Sequence, residues 1–408
     1  MDILFKSCAG MDVHQKTVVV CRMYQDSKGK EITEKKTFFT MTRDLLQLSD
    51  WLTEANITHI AMESTGDYWK SVYNILESNF EIWVVNAHHV KNVPGRKTDI
   101  KDSVWLCDLM RHGLLRPSFI PCQAQRELRD LTRLRTVLIR GRANDANRLH
   151  KALETCNIKL GAVVSDILGV SSRLMLKELV FQEHPDPSEL AQLAKGRLQS
   201  KQDMLELALD GRMTANNRFV ITTLLETVEY LDKKIQEVED RIEQECQPFN
   251  NSVLLLDTIP AVSTVAAQAL ISEIGPDMSY FPTAGHLASW LGLCPGNNQS
   301  GGKRLSGTIR KGNVYARAIL VQVAQLAAKM PKTQFSALYR RITGRRGQKK
   351  ALIAVAHQIA ITIWYILSRG VEYREPGPNY LNANNPQRAI NMLNRAATKH
   401  GFQLVPIK

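Results

Sequence analysis

The chain has 408 residues, enough for two or three domains with hydrophobic cores, because single domains mostly hold about 100–200 residues. Its formal net charge is +13, which favours a polyanionic partner such as nucleic acid. The seven cysteines form no Cys-x-x-Cys pair, which excludes the usual zinc and disulfide patterns and predicts reduced, buried thiols.

Targeting and membrane patterns are weak in this sequence. The first residues do not form a signal peptide, since Asp2 and Lys6 bracket a short apolar stretch. The apolar segment 351–367 falls short of the roughly 20 residues that a bilayer requires, and it contains His357 and Gln358. We therefore expect a cytoplasmic protein without a membrane partner.

Residues 1–122 alternate between strand and helix patterns. Short β-prone runs cover residues 9–24, 35–41, 59–63 and 81–86, and helical spacing covers 45–55 and 68–78. Three strands followed by alternating helices and strands are typical of an α/β domain with a mixed sheet.

Residues 123–250 are predicted to be helical. A long basic helix covers 123 to about 156, with leucines spaced by three and four residues, and a heptad pattern runs from Leu224 to Ile242. The heptads predict a helical hairpin or a dimer contact. Charged helix faces are usually only solvated, but acids are few here, so nucleic-acid contact is the preferred interpretation. The arginines selected for this contact are Arg126, Arg129, Arg133 and Arg140.

The rest of the chain is divided into a second, mostly helical domain at 251–370 and a C-terminal extension at 371–408. The extension begins with several prolines and asparagines, which predict an irregular start. Residues 157–215 give no chemical signal.

Four acids stand out by their context. Asp12 lies at a strand, Glu63 ends a short strand, and Asp99 and Asp102 lie three residues apart at the start of a helix. Carboxylates on adjacent strands and one helix face can bind Mg²⁺, and paired ions assist phosphoryl transfer. Taken singly, each acid is typical of a solvated surface carboxylate. Nearby cations that suit a phosphate backbone, or that only balance these acids, are Lys97 and Lys101.

A second constellation lies between residues 291 and 317, where no acid occurs. Ser300 precedes Gly301 and Gly302, whose flexible backbone allows a ligand to approach closely. A serine hydroxyl among cations suits nucleophilic attack on a phosphodiester, although no local residue supplies a base. Ser306 is a less favoured nucleophile, and a phosphate-binding loop with spectator serines is the alternative. The cations of this segment are Lys303, Arg304, Arg310 and Lys311.

Taken together, these motifs resemble the DEDD/serine transposases of bacterial insertion sequences, the bridge-RNA-guided recombinases related to the pilin-gene invertase. The N-terminal motifs are GMDVHQKT, AMESTGDYW and GRKTDIKDSVWL. The C-terminal motifs are DTIPAVSTVAAQALISEIG, ASWLGLCPGNNQSGGK and IRKGNVYAR. One departure is the turn from Ile259 to Ser263, where the family commonly has Ile-Pro-Gly-x-Gly, so a phosphate grip built from glycine amides is not expected there.

The resemblance implies an α/β plus α architecture with an RNase H-like (RuvC-like) N-terminal domain. It implies an Mg²⁺-binding tetrad of Asp12, Glu63, Asp99 and Asp102, and it implies that Ser300 joins covalently to DNA. It further implies a noncoding guide RNA and a homo-oligomer, a dimer or tetramer. Sequence choice is then delegated to base pairing.

We therefore expect a DNA recombinase of an insertion sequence. Two alternatives remain at this stage. One is a metal-dependent hydrolytic nuclease of the junction-resolvase kind, in which Ser300 is a bystander. The other is a non-catalytic nucleic-acid-binding protein, whose binding is salt-dependent but indifferent to Mg²⁺.

Overall fold

The computed structural model describes residues 3–64, 66–86, 90, 102–296, 298–301, 303–306, 308–383 and 386–405. The chain forms two compact units, Met1–Ile120 and Pro121–Lys408.

The first unit contains a mixed five-stranded sheet. Its strands are β1 (Cys8–Val13), β2 (Thr17–Gln25), β3 (Glu31–Phe39), β4 (His59–Glu63) and β5 (Glu81–Val85). The strand order is β3-β2-β1-β4-β5, with β1, β2 and β3 antiparallel and β1, β4 and β5 parallel. The mixed sheet expected from the sequence is confirmed.

Helices cover both faces of this sheet. Successive residues of a strand point to opposite faces. Ala9, Met11 and Val13 share one core with two helices, α1 (Thr42–Glu54) and α2 (Trp69–Leu76). Cys8 on the opposite face packs with a third helix, α3 (Asp102–Arg111). The regular alternation of β1 therefore places Gly10 and Asp12 on the face that α3 covers.

Gly10 lets α3 approach the sheet unusually closely. A Cβ atom built at Gly10 would lie 2.2 Å from the Ser103 carbonyl oxygen and 2.3 Å from the Cys107 backbone nitrogen. Any larger residue would push the helix away, so Gly10 fixes where α3 begins relative to β1.

The second unit is helical in the part of the chain that the structure describes, apart from one β-hairpin and an isolated bridge. Its N-terminal half contains α4 (Gln123–Thr155), α5 (Leu160–Val163), α6 (Val170–Phe181), α7 (Pro187–Gln192), α8 (Gln202–Leu209) and α9 (Ala215–Glu245). The two long helices, α4 and α9, pack along each other. The helix that carries the heptad pattern, α9, begins at a capping box formed by Thr214 and Asn217.

The C-terminal half contains the remaining helices. They are α10 (Asn250–Asp257), α11 (Thr264–Ile274), α12 (Ala284–Trp290), α13 (Val314–Ala327), α14 (Gln334–Arg346), α15 (Gln348–Arg369), α16 (Tyr380–Ala383) and α17 (Pro386–Lys399). Among the described residues, α15 is the one helix long and apolar enough to cross a membrane. Because α15 packs against α12, α13 and α14 and buries residues such as Val355 and Ile359, it is the central helix of this half.

Candidate functional site

Two of the predicted acids lie side by side at one edge of the sheet. Met11 on β1 pairs with Met62 on the parallel strand β4, so Asp12 and Glu63 are the next residues along the two strands. Neighbouring strands lie about 4.8 Å apart, and residues at matched positions point to the same face. Asp12 and Glu63 are partly exposed, and His14 Nε2 lies 3.2 Å from Asp12 Oδ2.

Asp102 lies on α3, the helix that covers the sheet face on which Asp12 lies. It is the first residue of α3 and exposed, and Ser103 beside it touches Gly10, two residues before Asp12. Because Cys107, further along α3, approaches Cys8, the helix runs so that its Asp102 end points towards Asp12. Three of the four acids thus belong to one end of one sheet face.

The fourth acid, Asp99, lies outside the described residues, as do Lys97 and Lys101. In the described ranges, no three acidic, histidine or cysteine side chains already converge as a metal site. Asp12 and Glu63 therefore lie on neighbouring strands with the start of α3 at Asp102 over the same face, but the described residues do not form a metal-binding group.

The serine segment forms a β-hairpin in the second unit. Strand β6 (Asn298–Ser300) pairs antiparallel with β7 (Lys303–Ser306), and Ser300 is the partner of Lys303. Gly301, directly after Ser300, has a φ of +56°, in the left-handed region that glycine adopts without strain. Ser300 is therefore the last strand residue before a tight turn, at the tip of the hairpin.

The base of this hairpin is held by backbone contacts. The Gly296 amide donates to the Thr308 carbonyl at 2.8 Å, and Pro295 forms a bridge with Ile309. Gly312 passes so close to Gly292 that a Cβ on it would lie 2.4 Å from the Gly292 nitrogen. Arg310 and Lys311 on the return segment are exposed.

A buried carboxylate, Glu273 at the end of α11, joins the hairpin's exit to the long basic helix. Its side chain is 1% exposed and accepts two hydrogen bonds from Arg133 of α4, at 2.7 and 2.9 Å. Asn313 Nδ2 donates to it at 2.6 Å, and Asn313 Oδ1 caps α13 by accepting from the Tyr315 and Ala316 amides. Sequence analysis missed Glu273, although it is an acid in a nearly apolar stretch.

The arginines selected on α4 have different environments. Arg129 donates to the Ser272 and Glu273 carbonyl oxygens, at 3.1 and 2.7 Å, so it caps the C-terminus of α11. Burial lowers the pKa of Arg129, and Glu273 opposes this shift. Arg126 donates to the Pro121 carbonyl oxygen, and Arg140 is exposed. Arg129 and Arg133 thus serve contacts within the fold, whereas Arg140 faces solvent.

The turn before α11 contains a non-glycine residue with a positive φ. Ala261 has a φ of +71°, a conformation that non-glycine residues rarely adopt. The Val262 amide bonds to the Ile259 carbonyl at 3.0 Å, and Ser263 caps α11. Ala261 therefore adopts a backbone conformation that usually requires glycine.

Comparisons with known proteins agree with this two-part arrangement. A transposase family model of the IS110 DEDD type matches residues 9–158, and the model of the transposase IS116/IS110/IS902 family matches residues 253–340. These ranges contain the acids of the sheet and the serine hairpin, respectively, and together they cover more than half of the chain.

Three relatives are similar over most of their length. The chain is 23% identical to a "Probable family 20 transposase" of Pseudomonas aeruginosa, covering 81% of this chain and 90% of the relative. It is 23% identical to the transposase for insertion sequence element IS1328 of Yersinia enterocolitica, covering 80% and 89%. It is also 23% identical to the pilin gene-inverting protein of Moraxella bovis, covering 89% and 96%.

The matches in both parts of the chain define a DNA transposase, an enzyme that recombines the DNA of mobile elements. The chain belongs to the IS116/IS110/IS902 transposase family.

Proposed function

We propose that the first unit is an RNase H-like, RuvC-like domain in which Asp12, Glu63, Asp99 and Asp102 hold Mg²⁺. The strand order β3-β2-β1-β4-β5 supports this fold, because it combines an antiparallel meander with parallel crossovers. The observation that carries the proposal is the adjacency of Asp12 and Glu63 on parallel strands, with α3 starting at Asp102 over the same face.

The donor set fits this ion. Mg²⁺ binds carboxylate oxygens and usually keeps several waters, so a few carboxylates at an open edge suffice. Bound Mg²⁺ ions would supply charge neutralisation for the attacking and leaving oxygens of phosphoryl transfer. The four carboxylates would hold the ions, and the contact of α3 with Gly10 fixes the position of Asp102 relative to β1.

We further propose that Ser300 is the nucleophile. Its oxygen forms a bond to a DNA phosphorus, the bond from phosphorus to one sugar oxygen breaks, and that sugar oxygen leaves as a hydroxyl. A hydroxyl of another DNA end then attacks the phosphoserine, releases Ser300 and restores a phosphodiester. One bond forms as one breaks in each step, so rejoining consumes no ATP. The hairpin tip suits this role because the strand pairing holds Ser300 at the tight turn.

The resemblance supports the remaining assignments. We propose a noncoding guide RNA as partner, a dimer or tetramer of this chain, and a cytoplasmic, nucleoid-associated location. The proposed divisions are 1–122, 123–250, 251–370 and 371–408. The residues proposed to contact nucleic acid are Lys97, Lys101, Arg126, Arg140, Lys303, Arg304, Arg310 and Lys311. Arg129 and Arg133, which the sequence also selected, are instead bonded to Ser272 and Glu273.

The test is a denaturing gel of labelled element DNA incubated with protein, Mg²⁺ and RNA from the flanking element. Wild type should yield a slowly migrating, protease-sensitive DNA band, and Ser300→Ala should not, because the attacking oxygen is gone. Ser306→Ala is the matched control, since Ser306 lies on the paired strand of the same hairpin. Its band should persist.

The acids are tested in the same assay. Asp102→Asn should remove both the band and any nick, whereas Asp108→Asn, on the same helix but paired with His112, should retain activity. Cleavage that survives Ser300→Ala without attached protein would instead establish a hydrolytic nuclease. Binding that ignores Mg²⁺, with no cleavage by wild type, would establish a non-catalytic binding protein.

A further inference from the structure

The connection between α14 and α15 carries a dense cluster of positive charge. Residues 340–350, here called the basic turn, read RRITGRRGQKK and contain no acid. Its six cations are Arg340, Arg341, Arg345, Arg346, Lys349 and Lys350. The family match ends at residue 340, so the basic turn is a feature that the matched model does not cover.

The cations of the basic turn are turned to solvent. Five are exposed and Arg341 is partly buried, and no ion pair joins any of the six to an acid in the described part of the chain. Gly347, with a φ of +80°, ends α14 and lets the chain reverse directly into α15. Cations from two helix ends are thereby gathered at one tip.

Arg345 and Arg346 in the last turn of α14 suit the negative end of that helix dipole, but the other cations do not serve the stability of the helices. Lys349 and Lys350 lie in the first turn of α15, where the helix dipole is positive and cations are unfavourable. Arg341 and Arg345 are four residues apart on α14, where like charges repel. A polyanion bound across the tip would reduce both the unfavourable helix-dipole interaction and the repulsion between like charges, because its phosphates neutralise the cations.

We propose that the basic turn binds the phosphate backbone of duplex DNA beside the site of strand exchange. From Arg340 to Arg346 the helix rises about 9 Å, a length that suits two neighbouring phosphates of one strand. DNA is favoured over RNA because α15 packs against α13, the helix that follows the serine hairpin. The inference rests on the proposed role of the serine hairpin in strand exchange, but binding at the basic turn does not require the nucleophilic step itself.

The experiment measures binding of the full chain to a labelled duplex from the element end by fluorescence anisotropy, between about 50 and 200 mM salt. Each phosphate contact contributes about 0.9 to the slope of log K against log salt. Arg345→Gln with Arg346→Gln should therefore lower the slope by about two. The double variant Arg345→Lys with Arg346→Lys should restore it, because lysine retains the charge.

Lys28→Gln with Lys30→Gln is the matched control, since it removes two exposed charges from the β2–β3 turn in the other unit. Its slope should equal that of wild type. An unchanged slope in the Arg345/Arg346 glutamine variant, or an equal drop in the control, overturns the proposal. A drop seen with RNA of the element but not with duplex DNA also overturns it. Ser300→Ala should bind DNA like wild type, so loss of strand exchange and loss of this interface are separable.

Discussion

Two regions of this transposase are rich in basic residues, but they use their charge in opposite ways. On α4, Arg133 pairs with the buried Glu273, Arg135 with Glu239, and Arg142 with Asp232. In the basic turn, six cations have no acidic partner among the described residues. The first region holds helices together, and the second presents charge to solvent.

The difference shows why a count of cations is a weak guide to nucleic-acid contact. Both segments look alike in sequence, since each has many arginines and few acids nearby. What separates them is the presence of acids more than 80 residues away in sequence that fold against α4. Basic residues are available to phosphates only where the fold leaves them without such partners.

The largest effect should come from Glu273→Gln. Removing this charge leaves Arg129 and Arg133 without their anion in a mostly buried contact. The free energy of unfolding should therefore fall by about 3 kcal/mol. Urea denaturation of the variant measures this. Arg345→Gln in the basic turn is the comparison and should stay within about 0.5 kcal/mol of wild type. Equal losses in the two variants would show that the two regions are not functionally distinct.

A smaller effect should follow from Asp232→Asn. Burial raises the pKa of Asp232, but hydrogen bonds from Arg142 and Arg173 outweigh it and hold the pKa below its usual range. Its stabilisation is therefore fully present above about pH 4, the unfolded value, and is lost as pH falls through the lower folded pKa. At pH 7 the variant should lose about 1 kcal/mol, because solvent screens these one-third-exposed groups.

Urea titrations at pH 7 and near pH 3 measure this dependence. The difference between wild type and Asp232→Asn should shrink at the lower pH. Asp240→Asn, on an exposed position of the same helix α9, is the control and should show little difference at either pH. A gap that widens on acidification would contradict the assigned direction.

The sequence predicted local structure in the first unit closely, and for physical reasons. The strand His59–Glu63 coincides with its predicted range because its three central residues are apolar and buried and a turn follows it. The parallel pairing that sets Asp12 beside Glu63 could not be predicted from spacing alone, since it depends on contacts about 50 residues apart. Glu273 was missed for the same reason, because its partner Arg133 is 140 residues away.

The turn at Ala261 teaches a related lesson. The missing glycine led to the expectation that no phosphate grip of glycine amides forms here, and the observed φ of +71° shows that Ala261 still adopts a backbone conformation typical of glycine. Local hydrogen bonds and the cap by Ser263 hold this conformation against the preference of the residue. The loss of a glycine from a sequence therefore does not by itself exclude a positive φ at that position.

Arg140 provides a finer test of the comparison, because it lies on α4 but is exposed. If exposure decides availability, Arg140→Gln should lower the salt slope by about one, so its loss of nucleic-acid affinity relative to wild type should be about threefold larger at 50 mM salt than at 200 mM. Arg135→Gln, whose guanidinium pairs with Glu239, should leave the slope unchanged. Anisotropy titrations with duplex DNA and with element RNA measure both. A slope change in Arg135→Gln alone would reverse the interpretation of α4.

The smallest and most specific effect concerns Lys349 at the start of α15. Lys349→Glu replaces an unfavourable cation by an acid that suits the helix N-terminus, so the free energy of unfolding should rise by about 0.5 kcal/mol. The affinity for DNA should fall, because a cation is lost. Gln348→Glu gives a similar dipole benefit without removing a cation, so its loss of DNA binding should be smaller. Thermal denaturation and anisotropy on the two variants separate the contributions. Opposite changes in stability and affinity for Lys349→Glu are expected of a residue retained for binding, because selection for the folded state alone would favour the acid at this position.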